Sequence, residues 1–308
     1  MQIINNDYKK VNTAGGTALA IGNFDGVHKG HQKMLDTLKK VAYDLGIPSV
    51  VYTFSQHPKN VLFGKDSQEL ICSDEKKTDL MENSGIHTLF FEDFLSVQNL
   101  PAEDFVKDIL VAKFNVSAVV IGEDGRFGKS GTGDVDFLKE LSKQYGFSVY
   151  VVEQLKVRGV VCSSTEIRKQ ISLGDLEKAN EMLNRPYSIS GTVIGDKQLG
   201  RTYGYPTANI ILDKDCTKLK RGVYATNVLV DGVSRIAITN VGTTSFDNEE
   251  TERIESHILD FSGDLYDKQI EVEFLYYMRD FKNFVTVDEL KLQLDEDKKM
   301  RKLGGNSK

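Results

Sequence analysis

The spacing of hydrophobic positions along this chain changes character once, near residue 185. Before that point, short apolar runs alternate with stretches of helical spacing. Runs 17–24, 48–54, 86–91, 116–122 and 147–153 have the length and side-chain character of buried strands. Stretches 28–45, 74–84, 102–114 and 134–145 read as helices, as with Leu35, Leu38 and Val41 in the first of them. Gly46 and Gly146 follow two of these helices as C-terminal stops. The alternation predicts an α/β fold with a mostly parallel sheet, right-handed crossovers and helices on both faces. A further helix opens near Ser163 and a short one spans 175–183.

After Asn184-Arg185-Pro186 the strands follow one another without helices between them. Runs 187–194, 222–230, 233–241, 253–261 and 269–277 alternate in character, and Asp231-Gly232 joins two of them at hairpin distance. This pattern predicts a small antiparallel β-barrel. A final helix over about 287–300 opens with a capping box, Thr286 to Glu289. The 308 residues therefore divide into two domains, 1–184 and 185–308.

Composition narrows the class. Hydrophobic residues at 40% and charged residues at 27% are ordinary for a globular protein. The net charge of -6 argues against a general nucleic-acid binder. Cys72, Cys162 and Cys216 form neither a metal spacing nor a disulfide framework, which fits a reducing cytoplasm. No leader-like apolar core opens the chain and no run is long enough to span a bilayer. The expected address is cytoplasmic, with small-molecule partners, no nucleic acid and no membrane.

The densest chemistry of the first half lies in Gly22-Asn23-Phe24-Asp25-Gly26-Val27-His28-Lys29-Gly30-His31. This is a strand-to-helix turn at the carboxyl edge of the sheet, where such folds bind ligands. Its glycines let the backbone approach a ligand, and the new helix offers free N–H groups to an anion. His28 and His31 share a face and can each donate to a phosphate oxygen as charge builds there. Two more loops follow strands: Ser55 to Asn60, with His57, and Glu123 to Gly131, with Arg126 and Lys129. The second lacks the ending of a P-loop. In Ser163-Ser164-Thr165-Glu166-Ile167-Arg168 one serine caps a helix, and the hydroxyls and Arg168 can face phosphates.

In the second half a loop with Gly195, Gly200 and Gly204 runs into Pro206-Thr207-Ala208-Asn209. Such a loop can wrap a polyphosphate, and Thr207 and Asn209, two apart, can offer oxygens to Mg2+. Alternation puts Glu255, His257 and Leu259 on one strand face and Ile254, Ser256 and Ile258 on the other. Glu255 is a candidate general base, unless it only faces water on the outside of the barrel.

The first decapeptide resembles the HxGH signature of nucleotidyltransferases. In its longer form it resembles the FMN adenylyltransferase module of bacterial bifunctional riboflavin kinase/FAD synthetases. Gly200-Arg201-Thr202-Tyr203-Gly204-Tyr205-Pro206-Thr207-Ala208-Asn209, with Glu255-Ser256-His257-Ile258-Leu259, resembles their kinase module, as do Asp264 to Lys268 and Phe274 to Phe284. The resemblance implies a Rossmann-like nucleotidyltransferase domain, then a riboflavin kinase barrel with a C-terminal helix. It implies two ATP-dependent steps: riboflavin to FMN with Mg2+, and FMN to FAD with release of pyrophosphate. By resemblance, Gly22, Phe24, Asp25, Gly26, Ser164, Thr165 and Arg168 hold ATP at the adenylyl site, with His28 and His31 catalytic. His57, Asn60, Asp124, Arg126 and Phe127 lie in loops near that site. At the kinase site Gly195, Gly200, Arg201 and Gly204 cover the phosphates, Thr207 and Asn209 bind Mg-ATP, and Glu255 takes the hydroxyl proton. The family commonly carries an aromatic ring where this chain has Gly125, and its loss is expected to weaken flavin binding. A kinase with a relic first domain and a flavin-sensing regulator are the other readings, both opposed by the intact His28/His31 pair and Glu255.

Overall fold

The computed structural model describes residues 1–64, 67–195, 205–246, 249–282 and 284–304. They form two units, Met1–Glu166 and Ile167–Lys308.

The first unit is built on six strands: β1 (Gln2–Asn5), β2 (Thr17–Ile21), β3 (Ser49–Phe54), β4 (Thr88–Glu92), β5 (Val116–Gly122) and β6 (Ser148–Val152). Their order is β1-β4-β3-β2-β5-β6, with every pairing parallel. β1 was not anticipated and adds an edge. Successive side chains serve opposite faces: Val50 and Tyr52 join one core cluster, while Val51 between them joins the other. Helix α1 (Lys29–Leu45) supplies Met34, Leu35 and Leu38 to the second cluster and ends at Gly46 in the left-handed region. The other helices are α2 (Pro58–Phe63), α3 (Asp74–Asn83), α4 (Phe94–Val97), α5 (Ala102–Asp104, continuing as a π-helical stretch Phe105–Val111) and α6 (Val135–Tyr145). A small hairpin, β7 (Lys156–Val157) and β8 (Val160–Val161), precedes α7 (Ser164–Leu173).

From β2 the chain winds outward through β3 and β4, then crosses back to β5 and β6. The point where the winding reverses lies between β2 and β5. That is where a parallel sheet opens a crevice beyond its carboxyl ends. The loop after β2 carries His28 and the loop after β5 carries Asp124, so the reversal brackets the predicted site.

The second unit begins within α7 and continues through α8 (Leu176–Leu183). Asn180 on α8 donates to the Phe274 carbonyl at 2.8 Å and accepts from the Tyr187 N–H at 2.7 Å. This helix is therefore bonded to the strands that follow it, although the change in sequence character comes after it. The strands are β9 (Tyr187–Thr192), β10 (Ala208–Ile211), β11 (Gly222–Val230), β12 (Val233–Phe246), β13 (Glu249–Ile258) and β14 (Gln269–Arg279), in the order β10-β13-β12-β11-β14-β9. All their pairings are antiparallel. The Ile194 N–H donates to the Asn209 carbonyl at 2.8 Å, which brings the two edges together and closes the barrel. Tyr224 and Phe274 fill the interior, and Thr226, Thr239 and Ser256 form a buried hydroxyl chain with spacings of 2.7 and 2.8 Å. The last helix, α9, runs from Val287 to Gly304.

Candidate active sites

The loop after β2 is held in an unusual backbone shape. Phe24 (φ 52°), Gly26 (φ 77°) and Val27 (φ 40°) all take positive φ. For a β-branched valine this is an outlier, and each such non-glycine residue costs on the order of 1–3 kcal/mol. The surrounding contacts outweigh that cost. Buried Asp25 accepts from the Ile71 N–H at 2.9 Å, and its carbonyl accepts from the Ser164 hydroxyl at 2.9 Å. Gln32 donates to the Val27 carbonyl at 2.9 Å. At Gly26 a Cβ would come within 2.9 Å of Ile71, so a larger residue would push the loop away.

The two histidines stack, with ring centroids 3.7 Å apart and planes 18° apart. His28 is the N-cap of α1: its Nδ1 accepts from the His31 N–H at 3.3 Å. That bond leaves neutral His28 with its proton on Nε2. His31 packs 5.1 Å from the Phe24 ring, and its Nδ1 is buried with no hydrogen-bond partner among the described residues. Gly30 lies against this pair, since a Cβ there would sit 3.1 Å from the His28 ring.

Burial holds the His31 imidazole well below the ordinary histidine value, and the charges of His28 and Lys77 push the same way. The unfolded chain takes up this proton near pH 6.5, while the folded chain resists it. Stability from this group is therefore complete above about pH 6.5 and falls as pH drops below it. Urea unfolding at pH 7 and pH 5 should show that loss, and His31→Gln should reduce it. An unchanged pH slope in the variant would contradict the assignment.

Ser163 accepts from the Glu166 N–H at 3.3 Å and so caps α7, which leaves Ser164 on the Asp25 carbonyl and Thr165 exposed. Arg168 follows one turn along the same helix, past the start of the second unit. The structure therefore joins Gly22, Phe24, Asp25, Gly26, His28, His31 and Ser164 in one neighbourhood.

Other first-unit expectations change. Asn60 lies within α2, and His57 stands just before it. His57 caps it by accepting from the Lys59 N–H at 3.3 Å. Asn60 uses both ends of its amide on the Gln68 backbone, at 3.0 and 2.6 Å. Phe127 is a core residue, 5.9 Å from Phe105. Arg126 pairs at the surface with Asp134 at 3.2 Å, and Asp124 is exposed in the turn after β5. At Gly125 a Cβ would fall 2.4 Å from Ile121 and 2.9 Å from the Gly122 carbonyl. Ile121 already fills that space, so an aromatic ring could enter only if the turn were rebuilt. The expected flavin-binding cost of its absence finds no support in this geometry.

In the barrel, Glu255 lies on the outer face, but that face is covered. A cavity of about 1090 Å3 opens there, walled by Thr207, Asn209, Asn240 and Glu255 on one side and by Phe281 and Leu290 on the other. Helix α9 is anchored over the same face through buried polar groups. Arg279 makes a two-pronged pair with buried Asp297, at 3.0 and 2.7 Å, and Gln293 adds a bond to Asp297 at 3.1 Å. The alternation around Glu255 is as predicted; the cover over it was not legible in that strand.

Strand register places the polar groups side by side. Asn209 on β10 faces Glu255 on β13, and Glu255 faces Asn240 on β12. Directly paired residues share a face. Arg253 lies 3.3 Å from the Glu255 carboxylate. The Asn209 Oδ1 is buried with no partner among the described residues, while its Nδ2 reaches the Thr207 hydroxyl at 3.4 Å. An unpaired buried oxygen beside a hydroxyl suits a hard cation that keeps water and phosphate as its other ligands. His257 donates from Nδ1 to the Pro206 carbonyl at 2.9 Å, fixing the segment that leads into Thr207. Burial keeps its pKa below the ordinary histidine value. Tyr205, 5.4 Å from the His257 ring, is held in turn by Asp295 at 2.9 Å. Gly195 is exposed; Gly200, Arg201 and Gly204 lie outside the described residues.

One unit therefore presents a loop with two stacked histidines at a sheet reversal, and the other a carboxylate beside oxygen donors in a deep cavity. Together they define an enzyme of two nucleotide-using sites. The family model for FAD synthetase matches residues 10–166, and that for riboflavin kinase matches 183–303. The bifunctional riboflavin kinase/FMN adenylyltransferase of Haemophilus influenzae is 34% identical over 309 residues, covering 100% of both chains. That of Buchnera aphidicola subsp. Schizaphis graminum is 36% identical over 294 residues, covering 94% of this chain and 93% of its own. A crystal structure from Streptococcus pneumoniae, described as a macrolide-efflux protein, superposes with a TM-score of 0.90 at 29% identity, covering 98% and 99% of the two chains. Among the described residues no helix is long and apolar enough to cross a membrane. The chain belongs to the bifunctional riboflavin kinase/FMN adenylyltransferase family.

Proposed function

We propose that the second unit phosphorylates riboflavin with ATP and that the first joins the resulting FMN to AMP from a second ATP. The observation that supports this reading is that the described residues of the two signatures gather groups these reactions use: the stacked His28 and His31 in the first unit, and Thr207, Asn209 and Glu255 around one cavity in the second. At the kinase site, Glu255 accepts the proton of the terminal ribityl hydroxyl. The oxygen bonds to the γ-phosphorus, the bond to the bridging oxygen breaks, and ADP leaves. Thr207 and Asn209 would hold Mg2+, which offsets charge on the phosphates when bound. Arg253 orients the base, and His257 holds the Pro206 carbonyl so that Thr207 keeps its place.

At the adenylyl site the nucleophile is the FMN phosphate, already ionised, so no strong base is needed. An FMN oxygen attacks the α-phosphorus and pyrophosphate departs. His28, through Nε2, and His31 donate to the α-phosphate oxygens as charge builds, with the first N–H groups of α1 beside them. Ser164, Thr165 and Arg168 hold the remaining phosphates. The address we propose is the cytoplasm, where the substrates are small, soluble molecules.

The experiment that tests this division separates the units. The boundary of 184/185 marks the change in sequence character, but α8 bonds to β9 and β14. A fragment of residues 167–308 is therefore expected to fold and make FMN but no FAD. One starting at 185 is expected to be less stable, having lost the buried Met182 and Leu183. Removing such side chains costs about 2–5 kcal/mol each. Thermal melts and an FMN assay check both; equal stability of the two fragments would return the boundary to 185.

A further inference from the structure

Resting on the kinase reading above, we propose that Asn240 binds the sugar-alcohol chain of the acceptor at the hydroxyl next to the one phosphorylated. It would thereby set the distance from the flavin ring to the base.

Four neighbouring strands contribute one row of paired residues: Asn209, Glu255, Asn240 and Val223, with Arg279 paired to Val223 on the next strand. All five line the same cavity. Glu255 stands between the two asparagines. On its β10 side, Asn209 and Thr207 form the oxygen pair suited to Mg2+ and phosphate. In-line transfer requires the donor and the acceptor on opposite sides of the transferred group. With the donor on the β10 side, the acceptor extends toward β12, across Asn240.

The state of Asn240 supports this. Its Oδ1 is buried and has no hydrogen-bond partner among the described residues. Buried amide oxygens are normally paired, and leaving one unpaired is unfavourable. Asn209, whose oxygen is the other one in the row without a described partner, faces the proposed metal; Asn240 has no such role. A hydroxyl both donates and accepts, so it satisfies this amide whichever of its ends faces the cavity. Beyond Asn240 the row passes through apolar Val223 before it reaches Arg279, whose charge is taken up by Asp297, and the same cavity is lined by Ile238, Phe281 and Leu290. The order along the wall is therefore oxygen donors, base, amide, then apolar surface. It matches an acceptor whose reacting hydroxyl is followed by further hydroxyls and then by a flat, largely apolar ring system.

The test compares riboflavin with riboflavin lacking its 4′-hydroxyl, using the full chain with Mg2+ and ATP. The wild-type chain is expected to favour riboflavin by roughly five- to tenfold in kcat/KM, the size of one hydrogen bond. Asn240→Leu should raise the KM for riboflavin by a similar factor, leave the KM for ATP unchanged, and use both flavins alike. Asn240→Ser is measured beside it, as a smaller side chain that cannot span the same distance. A lost preference in either folded variant supports the assignment. A wild-type chain that uses both flavins equally, or variants that keep the wild-type preference, would overturn it. No FMN from the wild-type chain would overturn the kinase reading and this inference together.

Discussion

Glu255→Gln should abolish FMN formation from riboflavin yet leave FAD formation from supplied FMN at the wild-type rate. Glutamine keeps the size and much of the polarity of the side chain. The row with Asn209 and Asn240 should persist, and the cavity beneath α9 with it. What is lost is the carboxylate proposed to take the hydroxyl proton. Removing a general base typically costs about 10^2–10^4-fold. Separate assays on riboflavin and on FMN, with the same protein, supply the internal control. A variant that phosphorylates riboflavin at the native rate would show that Glu255 merely lines the cavity.

The converse is expected of His31→Ala: FMN accumulates and FAD does not form. Loss of one placed donor to a developing charge costs on the order of 10^2–10^3-fold. Here the loss has a second part. His28 stacks on His31 at 3.7 Å, and Phe24 packs 5.1 Å away, so an alanine leaves His28 without its support. The effect should fall on kcat more than on the KM for ATP, because the donors act mainly as charge builds on the α-phosphate. Riboflavin phosphorylation by the same variant shows that the second unit is intact, and an unchanged thermal melt of the first unit shows that it is still folded. Normal FAD output would reduce both histidines to a helix cap and its neighbour.

Local patterns carried much of this architecture. Helix α1, its Gly46 stop and the buried strand before it follow from spacing alone, and the histidine pair stands where that spacing puts it. Period-two alternation assigned Glu255 and Ser256 to opposite faces correctly. Features set by distant partners were not legible. The cover over Glu255 depends on Arg279 meeting Asp297, and nothing in either segment announces the other. Asn240 sits beside Glu255 only because of strand register. Phe127 looked like a loop aromatic and is core, since its ring packs near Phe105. Short elements such as β1 and β10 are too brief to show a period. Helix α8 reads as part of the first domain because helices precede it, yet Asn180 bonds it to the barrel.

The central claim is that one chain carries riboflavin through both steps. Incubation of the full-length protein with riboflavin, ATP and Mg2+, followed by chromatography of the flavins over time, tests it directly. The expected record is a rise of FMN followed by FAD, with pyrophosphate released in step with FAD. FMN that accumulates without FAD would contradict the first site, and riboflavin recovered unchanged would contradict the account as a whole.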